Sequence, residues 1–178
     1  MALLLAISVG LSACGGGKGG GQEPKTPPPP PEPTPQEKIA QLEAQGQLPQ
    51  LERLPLVAGI DIDNDGVRDD IAEHIRRTYT EPVQYRAAMQ MARVHQAMLL
   101  VDKHDHIALQ EVSERSMKAI ACLHQVFSLG DGPPEGTRVR EEIRSMTTNT
   151  KERLQTYLAY NKARSGSISV RPEGSVCE

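Results

Sequence analysis

The sequence predicts an all-α protein, a small helical bundle of about four helices that follows a disordered, Gly/Pro-rich N-terminal tether. Aromatic residues make up only 3% of the chain, so the core depends on Leu, Ile, Val, Met and Ala, most of which favour helices. From Lys38 onward, apolar residues recur at intervals of three and four, the period of an amphipathic helix. The tether is predicted by the glycines and prolines that crowd residues 15–37.

The helical part opens with a short amphipathic piece at residues 37–45, which Gly46 ends. Segment 48–59 contains Pro49 and Pro55, so we expect it to be extended rather than helical. An acidic stretch follows it. We then expect a helix whose apolar face consists of Val67, Ile71, Ile75 and Tyr79.

Three longer helices are predicted after that one. The first begins at Thr80-Glu81-Pro82, a pattern typical of a cap and a first turn. The second ends at residues 130–134, and Thr137 caps the third. Their apolar positions are, in chain order, Ala87, Met91, Val94, Met98 and Val101; Leu109, Val112, Ser116, Ala119, Leu123 and Val126; and Val139, Ile143, Met146, Leu154, Tyr157 and Leu158.

Residues 2–13 form an uncharged apolar stretch that is too short to span a bilayer, which needs about 20 residues. The stretch is typical of a signal-peptide apolar region. Its end, Leu11-Ser12-Ala13-Cys14, resembles the lipobox of bacterial lipoproteins. The resemblance implies removal of residues 1–13, diacylglycerol on the Cys14 thiol and a fatty acid such as palmitate on the new amino group. No Lys or Arg precedes the stretch, so we expect the natural start to lie upstream.

Two or three acyl chains on one residue suffice for stable membrane anchoring. By the same resemblance, Gly15 after the cysteine favours the outer membrane, with the protein facing the periplasm. The linker, residues 14–37, includes five successive prolines, a run that adopts an extended polyproline helix. We expect the linker to hold the helical domain, residues 38–178, roughly 40–70 Å from the bilayer.

The chain has three cysteines, and an odd number in an exported protein indicates that one has a separate role. Lipidation accounts for Cys14, which leaves Cys122 and Cys177 as a predicted disulfide pair. An oxidising compartment favours the bond over free thiols. Closing a loop of this length stabilises the fold by about 4 kcal/mol in the chain-entropy account.

The acidic stretch, residues 61–70, carries the one pattern that indicates binding chemistry. Carboxylates alternate along it and a glycine follows the third, as at the start of an EF-hand loop. Alternate residues of a tight loop point inward, so three carboxylates converge on one hard cation, and we predict Ca²⁺. The expected ligands are the side chains of Asp61, Asp63, Asp65 and Asp69 and the carbonyl of Val67.

The loop departs from the EF-hand pattern where the bidentate Glu should stand, since that position is Ala72. We expect Glu73, or Asp70, to close the site. Arg68 also occupies a position that is usually aliphatic. The loop therefore resembles the single Asp-rich calcium loops of dockerins and thrombospondin type 3 repeats. An alternative is an Asp-rich turn at a helix N-terminus, where Asp69 and Asp70 interact favourably with the helix dipole.

Two longer stretches, DNDGVRDDI and NTKERLQTYLAYNKARSG followed by a late cysteine, resemble small proteobacterial lipoproteins to which no activity is assigned. A formal net charge of −3 and few aromatic residues argue against a nucleic-acid partner, which needs basic and stacking side chains. No G-x-S-x-G, H-E-x-x-H or P-loop motif is present. His104 and His106 lack a spaced third ligand, so they predict a metal site only weakly.

These observations predict a non-catalytic binding or assembly domain that is anchored in the bacterial envelope and stabilised by a structural calcium loop. We expect a second envelope protein as its partner. The alternative is a periplasmic hydrolase whose site is built from residues distant in sequence. A pocket with converging polar groups and shifted pKa values would favour the hydrolase.

Overall fold

The computed structural model describes residues 31–127 and 135–178 of the chain. Within these ranges the protein is all-helical, as predicted, but it has six helices rather than about four. In chain order they are α1 (Pro35–Ala44), α2 (Asp69–Thr78), α3 (Pro82–Leu100), α4 (His106–Val126), α5 (Glu135–Thr147) and α6 (Lys151–Ala163).

The predicted signal peptide at residues 1–13, Cys14 and most of the linker lie outside the described residues, as does the turn at residues 130–134. Among the helices that the structure describes, none is both long enough and apolar enough to cross a membrane.

Helix α1 begins inside the segment that the sequence assigns to the linker. A capping box starts it: the Glu37 amide donates to the Thr34 hydroxyl at 3.3 Å, and the Thr34 amide donates to the Glu37 carboxylate at 2.7 Å. This reciprocal pair satisfies two amides that a helix start leaves without partners. Gly46 ends the helix at a φ of 68°, and no residue of α1 is buried.

The prediction of a single helix after residue 134 is wrong, because the structure has two helices there, α5 and α6. The break falls at residues 148–150, where the Thr150 hydroxyl accepts the Arg153 amide at 3.3 Å and starts α6. Thr137 is therefore inside α5 rather than its cap. Glu81, not Thr80, is the N-cap of α3, with Pro82 as its first residue.

Helix α3 is the centre of the fold and packs against α2, α4, α5 and α6. The predicted face of α2 is confirmed, since Val67, Ile71, Ile75 and Tyr79 are all buried. Gly136 permits the crossing of α5 over α4, because a Cβ atom there would lie 2.8 Å from the Leu123 carbonyl oxygen. The predicted seams of α3 and α4 are largely buried too, at Ala87, Met91, Val94, Met98, Leu109, Val112, Ala119 and Leu123.

A disulfide joins Cys122 to Cys177, the pairing that the cysteine count predicts, with 5.0 Å between the two Cα atoms. It fastens the tail, residues 164–178, which contains no helix or strand. A hydrogen bond of 2.9 Å from the Gln90 side-chain amide to the Val176 carbonyl adds a second attachment. The tail is thus held against α3 and α4.

The predicted apolar face of α6 is wrong in two of its positions. Leu154 is 45% exposed and Leu158 is 54% exposed. The helix instead buries Tyr160 and the whole of Arg153, whose side chain is 0% exposed. The sequence prediction treated arginine as a solvent-facing residue, which is the usual case unless the charge is paired.

Arg153 is buried because it binds the extended segment 48–59. Its guanidinium donates to the carbonyl oxygens of Glu52 and Leu56, both at 2.9 Å, and Val57 at 3.3 Å. It also donates to the Glu52 carboxylate at 2.9 Å and to the Asn149 side chain at 2.8 Å. Three of these five bonds supply partners to a stretch of backbone that has no helix or sheet partner of its own.

Arg68 is a second buried arginine, 1% exposed. It binds both carboxylate oxygens of Asp70, at 2.7 and 2.8 Å, and donates to Asn149 at 3.2 Å. Asp70 also accepts the Glu52 amide at 2.7 Å. We call these five residues, Glu52, Arg68, Asp70, Asn149 and Arg153, the arginine network.

Truncation of Arg153 tests the network. Arg153→Ala removes the cation nearest the Glu52 carboxylate and a donor to each of three carbonyls of segment 48–59, so the free energy of unfolding should fall by about 3–5 kcal/mol. Lys151→Ala, at an exposed position of the same helix, should change it by less than about 0.5 kcal/mol. Urea denaturation measures both. Similar stabilities for the two variants would contradict the structural role.

His95 lies on α3 in the core, 4% exposed, and neither ring nitrogen has a hydrogen-bond partner within the described residues. Burial first, and then the positive charges of Arg144 and Arg140, together lower its pKa from 6.5 to about 4. The ring of Tyr157 lies 6.3 Å away, centroid to centroid. The folded protein therefore holds His95 neutral.

This pKa shift makes stability depend on pH. As pH falls from about 6.5 to about 4, the unfolded chain takes up a proton that the folded protein does not, so stability declines by about 3 kcal/mol in total. His95→Leu should remove this decline and leave the remaining pH dependence intact. Urea denaturation from pH 7 to pH 4 tests it. Parallel curves for wild type and variant would show that His95 does not contribute.

Candidate metal centre

The carboxylates of Asp61, Asp63 and Asp65 converge as predicted. Each offers an oxygen, and the three oxygens lie within 4.8 Å of one another. Oxygen ligands bind Ca²⁺ at about 2.3–2.6 Å, so two of them on one ion can be up to about 5 Å apart. Asp61 and Asp65 are half-buried and Asp63 is exposed. This cluster can therefore hold a metal ion that enters from solvent.

Two residues of the loop adopt the left-handed conformation that makes the turn tight. Gly66 has a φ of 85° and Asn64 a φ of 57°. Glycine and asparagine are the residues that tolerate this region best. The Asn64 side-chain amide also donates to the Ile62 carbonyl at 3.2 Å. The sequence Asp-Asn-Asp-Gly thus folds the chain back so that the alternate side chains share one face.

Backbone amides hold the three carboxylates in place. The Asp65 amide donates to Asp61 at 3.2 Å and to Asp63 at 3.3 Å. The Gly66 amide donates to Asp61 at 3.1 Å, and the Val67 amide donates to Asp65 at 2.8 Å. These donors offset part of the repulsion between like charges, so the cluster is positioned by the protein itself.

The other predicted ligands lie at the edge of this arrangement or beyond it. Asp69 is the first residue of α2, and its Oδ1 accepts the Ile62 amide at 3.1 Å. The side chain of Val67 is buried in the core. Glu73 forms ion pairs with Arg76 and with Arg77, the latter at 2.6 Å. Glu73 can join the cation only after it leaves these partners.

Asp70, the other residue predicted to close the site, is committed to the arginine network through both oxygens. The alternative prediction for this stretch also has a structural counterpart, since Asp69 and Asp70 occupy the first turn of α2. There they interact favourably with the helix dipole. The two interpretations are compatible, because the cluster of three lies before the helix and the dipole contacts lie within it.

The loop and the segment that precedes it are attached to α3 by two contacts that the sequence did not predict. Arg93 donates to the Asp65 carbonyl at 3.0 Å, and Gln96 donates to the Ala58 carbonyl at 2.6 Å. The Asp69 amide closes the loop at its base by donating to the Ile60 carbonyl at 2.8 Å. The loop is therefore fixed at both ends and along one side.

A second polar cluster lies between α2 and α5. His74 Nε2 and Glu142 Oε1 are 2.6 Å apart, and the Tyr79 hydroxyl donates to Glu142 Oε2 at 2.7 Å. The His74 hydrogen bond is the main cause that lowers the pKa of Glu142. Burial, then the bond to Glu142, raises the pKa of Tyr79. A 380 Å³ cavity lined by Tyr79, Glu142 and Arg138 adjoins them.

This cluster lacks the geometry of a hydrolytic triad. The Thr78 hydroxyl lies 3.4 Å from His74 Nε2, which is the same nitrogen that contacts Glu142. A triad needs the nucleophile and the orienting acid on opposite nitrogens of the imidazole. The cluster is thus better described as a polar link between two helices.

The histidine pair that the sequence analysis considered as a weak metal site, His104 and His106, is exposed at the start of α4.

Comparison of the chain with models of protein families, with curated proteins and with solved structures finds no match. The class of site that the structure supports is therefore defined by its own geometry, an Asp-rich loop that can hold a metal ion. The resemblance to small proteobacterial lipoproteins stays a prediction from the sequence.

Gly59 tests how the loop is held. Its φ is 72°, and a Cβ atom there would lie 2.1 Å from the Arg68 side chain. Gly46 has a similar φ of 68°, with nothing within 4 Å. Gly46→Ala should lower stability by roughly 1–2 kcal/mol through backbone strain alone.

Gly59→Ala should lower the free energy of unfolding by about 1–3 kcal/mol more than its control, because Arg68 must shift within a packed site. Urea denaturation of both variants measures the difference. Equal destabilisation would show that Arg68 does not depend on the absence of a side chain at Gly59.

Proposed function

We propose that this protein is an envelope lipoprotein, anchored by lipid on Cys14, whose helical domain is a non-catalytic binding or assembly module with a structural calcium loop. The observation that carries the proposal is the convergence of three carboxylates, from Asp61, Asp63 and Asp65, within 4.8 Å. Such a loop gives a domain outside the cytoplasm a means of using a cation to stabilise its fold.

The chemistry of the cluster favours Ca²⁺ over other cations. Its side-chain donors are carboxylate oxygens, which suit hard cations, whereas zinc sites usually include Cys or His. Mg²⁺ demands near-ideal octahedral geometry and rarely occupies sites built only from protein groups, while Ca²⁺ accepts six to eight oxygens in flexible arrangements. The proposed ligand set is completed by the Val67 carbonyl, by Asp69 through a water molecule, and by Glu73 after its release from both Arg76 and Arg77.

The cation is proposed to act on the junction between segment 48–59 and α2. Three negative charges lie close together in the loop that joins them, and their repulsion favours opening of the loop. A bound divalent cation removes this repulsion. The Asp65 carbonyl already accepts from Arg93 of α3, so a fixed loop also fixes the junction against the central helix.

The proposed location rests on the sequence pattern at Cys14 and on features that suit an oxidising compartment. The Cys122–Cys177 disulfide is typical of exported proteins. Calcium sites of modest affinity are also typical of proteins outside the cytoplasm. The outer membrane, with the domain facing the periplasm, is the proposed site of action, and another envelope protein is the proposed partner.

Calorimetry with CaCl₂ on the purified protein tests the calcium loop. We expect a dissociation constant in the range of about 10⁻⁴–10⁻³ M. At 10 mM Ca²⁺ this affinity should stabilise the fold by about 1–3 kcal/mol, visible as a rise in melting temperature. Asp63→Asn and Asp65→Asn should each weaken binding by tenfold or more.

Glu111→Gln is the matched control, since it removes one negative charge from an exposed position of α4. It should bind Ca²⁺ as the wild type does. Absence of both heat and a melting shift at millimolar Ca²⁺ would refute the calcium role.

A further inference from the structure

A cleft of 540 Å³ lies directly beside the Asp-rich loop. Its walls come from the loop, from α3 and from α4. The residues that bear on its chemistry are Asp61, Asp65, Arg93, Gln96 and Arg115. The volume is within the range of about 300–1,000 Å³ that small-molecule sites occupy. The cleft is therefore large enough for a ligand of monosaccharide or disaccharide size next to the candidate cation.

Only one of the two polar atoms of the Gln96 side chain, which lines this cleft, has a hydrogen-bond partner. Its side chain is 5% exposed and its amide nitrogen donates to the Ala58 carbonyl at 2.6 Å. Its Oε1 is buried and has no hydrogen-bond partner within the described residues. A buried acceptor without a donor is unfavourable by about 1–3 kcal/mol. Because this oxygen has almost no accessible surface, a ligand hydroxyl supplies the missing donor once the groups that cover the oxygen move aside.

Two guanidinium groups line the same cleft. Arg93 is held in place by the Asp65 carbonyl at 3.0 Å and by Glu178 at 3.3 Å. Arg115 is exposed on α4 and forms no ion pair or side-chain hydrogen bond within the described ranges. An arginine fork with free donors matches the geometry of a carboxylate. Arg115 is thus available to an anion in the cleft.

A bound divalent cation removes the excess negative charge of this region. The three carboxylates of the loop and the Glu178 carboxylate, which pairs with Arg93, exceed the two guanidinium groups by two charges, so an anion is repelled from the cation-free cleft. One bound Ca²⁺ cancels this excess and leaves Arg115 free to attract an anion. Interactions between groups this close are only partly screened by salt. Anion binding in the cleft should therefore require the cation.

We infer that this cleft binds a small hydroxylated carboxylic acid, of the uronic acid class, in a calcium-dependent manner. The carboxylate lies between the cation and Arg115, and a ring hydroxyl donates to Gln96 Oε1. The inference rests on the proposed function, because it requires Ca²⁺ on Asp61, Asp63 and Asp65. It assigns the loop a second role, as part of a ligand site as well as a structural element.

Calorimetry on the full chain, first with CaCl₂ alone and then with glucuronate in saturating CaCl₂, tests the inference. Acetate supplies a carboxylate without hydroxyls, and glucose supplies hydroxyls without charge. Glucuronate should bind at least tenfold more tightly than either compound. Chelation of Ca²⁺ with EDTA should abolish glucuronate binding.

Arg115→Gln should weaken glucuronate at least tenfold and leave Ca²⁺ binding unchanged. Arg86→Gln, at an exposed arginine of α3 outside the cleft, is the matched control and should bind both as the wild type does. Melting curves of both variants verify that the fold is intact.

Ca²⁺ binding without any heat from glucuronate overturns this inference alone, whereas absence of Ca²⁺ binding overturns the proposed function as well. Acetate or glucose binding as tightly as glucuronate shows that the hydroxylated acid is not recognised as such. Glucuronate binding that survives both EDTA and Arg115→Gln places the ligand elsewhere. Each of these last two results also overturns the inference.

Discussion

The arginine network is the interaction on which the rest of this structure depends. Arg68 and Arg153 are buried almost completely, and burial of a charge is tolerable only with full pairing. The carboxylates of Glu52 and Asp70 balance the two positive charges. Arg153 in addition supplies donors to a run of carbonyls from residues 52–57 that no helix or strand satisfies. An irregular segment is thereby made part of the folded core.

The network also explains why the Asp-rich loop has a defined shape. Gly59 precedes the loop and lies against the Arg68 side chain. Arg68 itself is near the C-terminal end of the loop and directly precedes α2. The same buried side chain therefore fixes both ends of the loop. The Ile60 carbonyl and the Asp69 amide close the base of the loop, so the protein's own contacts define the path of the loop.

Much of the fold was predictable because α2, α3 and α4 bury ordinary apolar residues at helical spacing. The convergence of Asp61, Asp63 and Asp65 was predictable for a similar reason, since alternation within a tight turn is a local property. The exposure of Leu154 was not predictable from sequence, because it follows from the burial of Arg153 against a segment about a hundred residues away. The sequence gives one indication of the arginine network, which is that Arg68 occupies a loop position where an aliphatic residue is usual. The cleft residues come from helices distant in sequence, so no local pattern could group them.

The arginine network also has a mechanical consequence when the chain is pulled from its N-terminal side. Tension applied through residues before α1 reaches that helix first, and α1 has no buried residue to resist peeling. The force then passes along segment 48–59 to Arg153, which holds that segment by four hydrogen bonds. Helices α5 and α6 lie within the covalent ring that Cys122 and Cys177 close. Extension under force would therefore stop at that ring, and the first mechanical barrier would be set by a pair of arginines rather than by the apolar core.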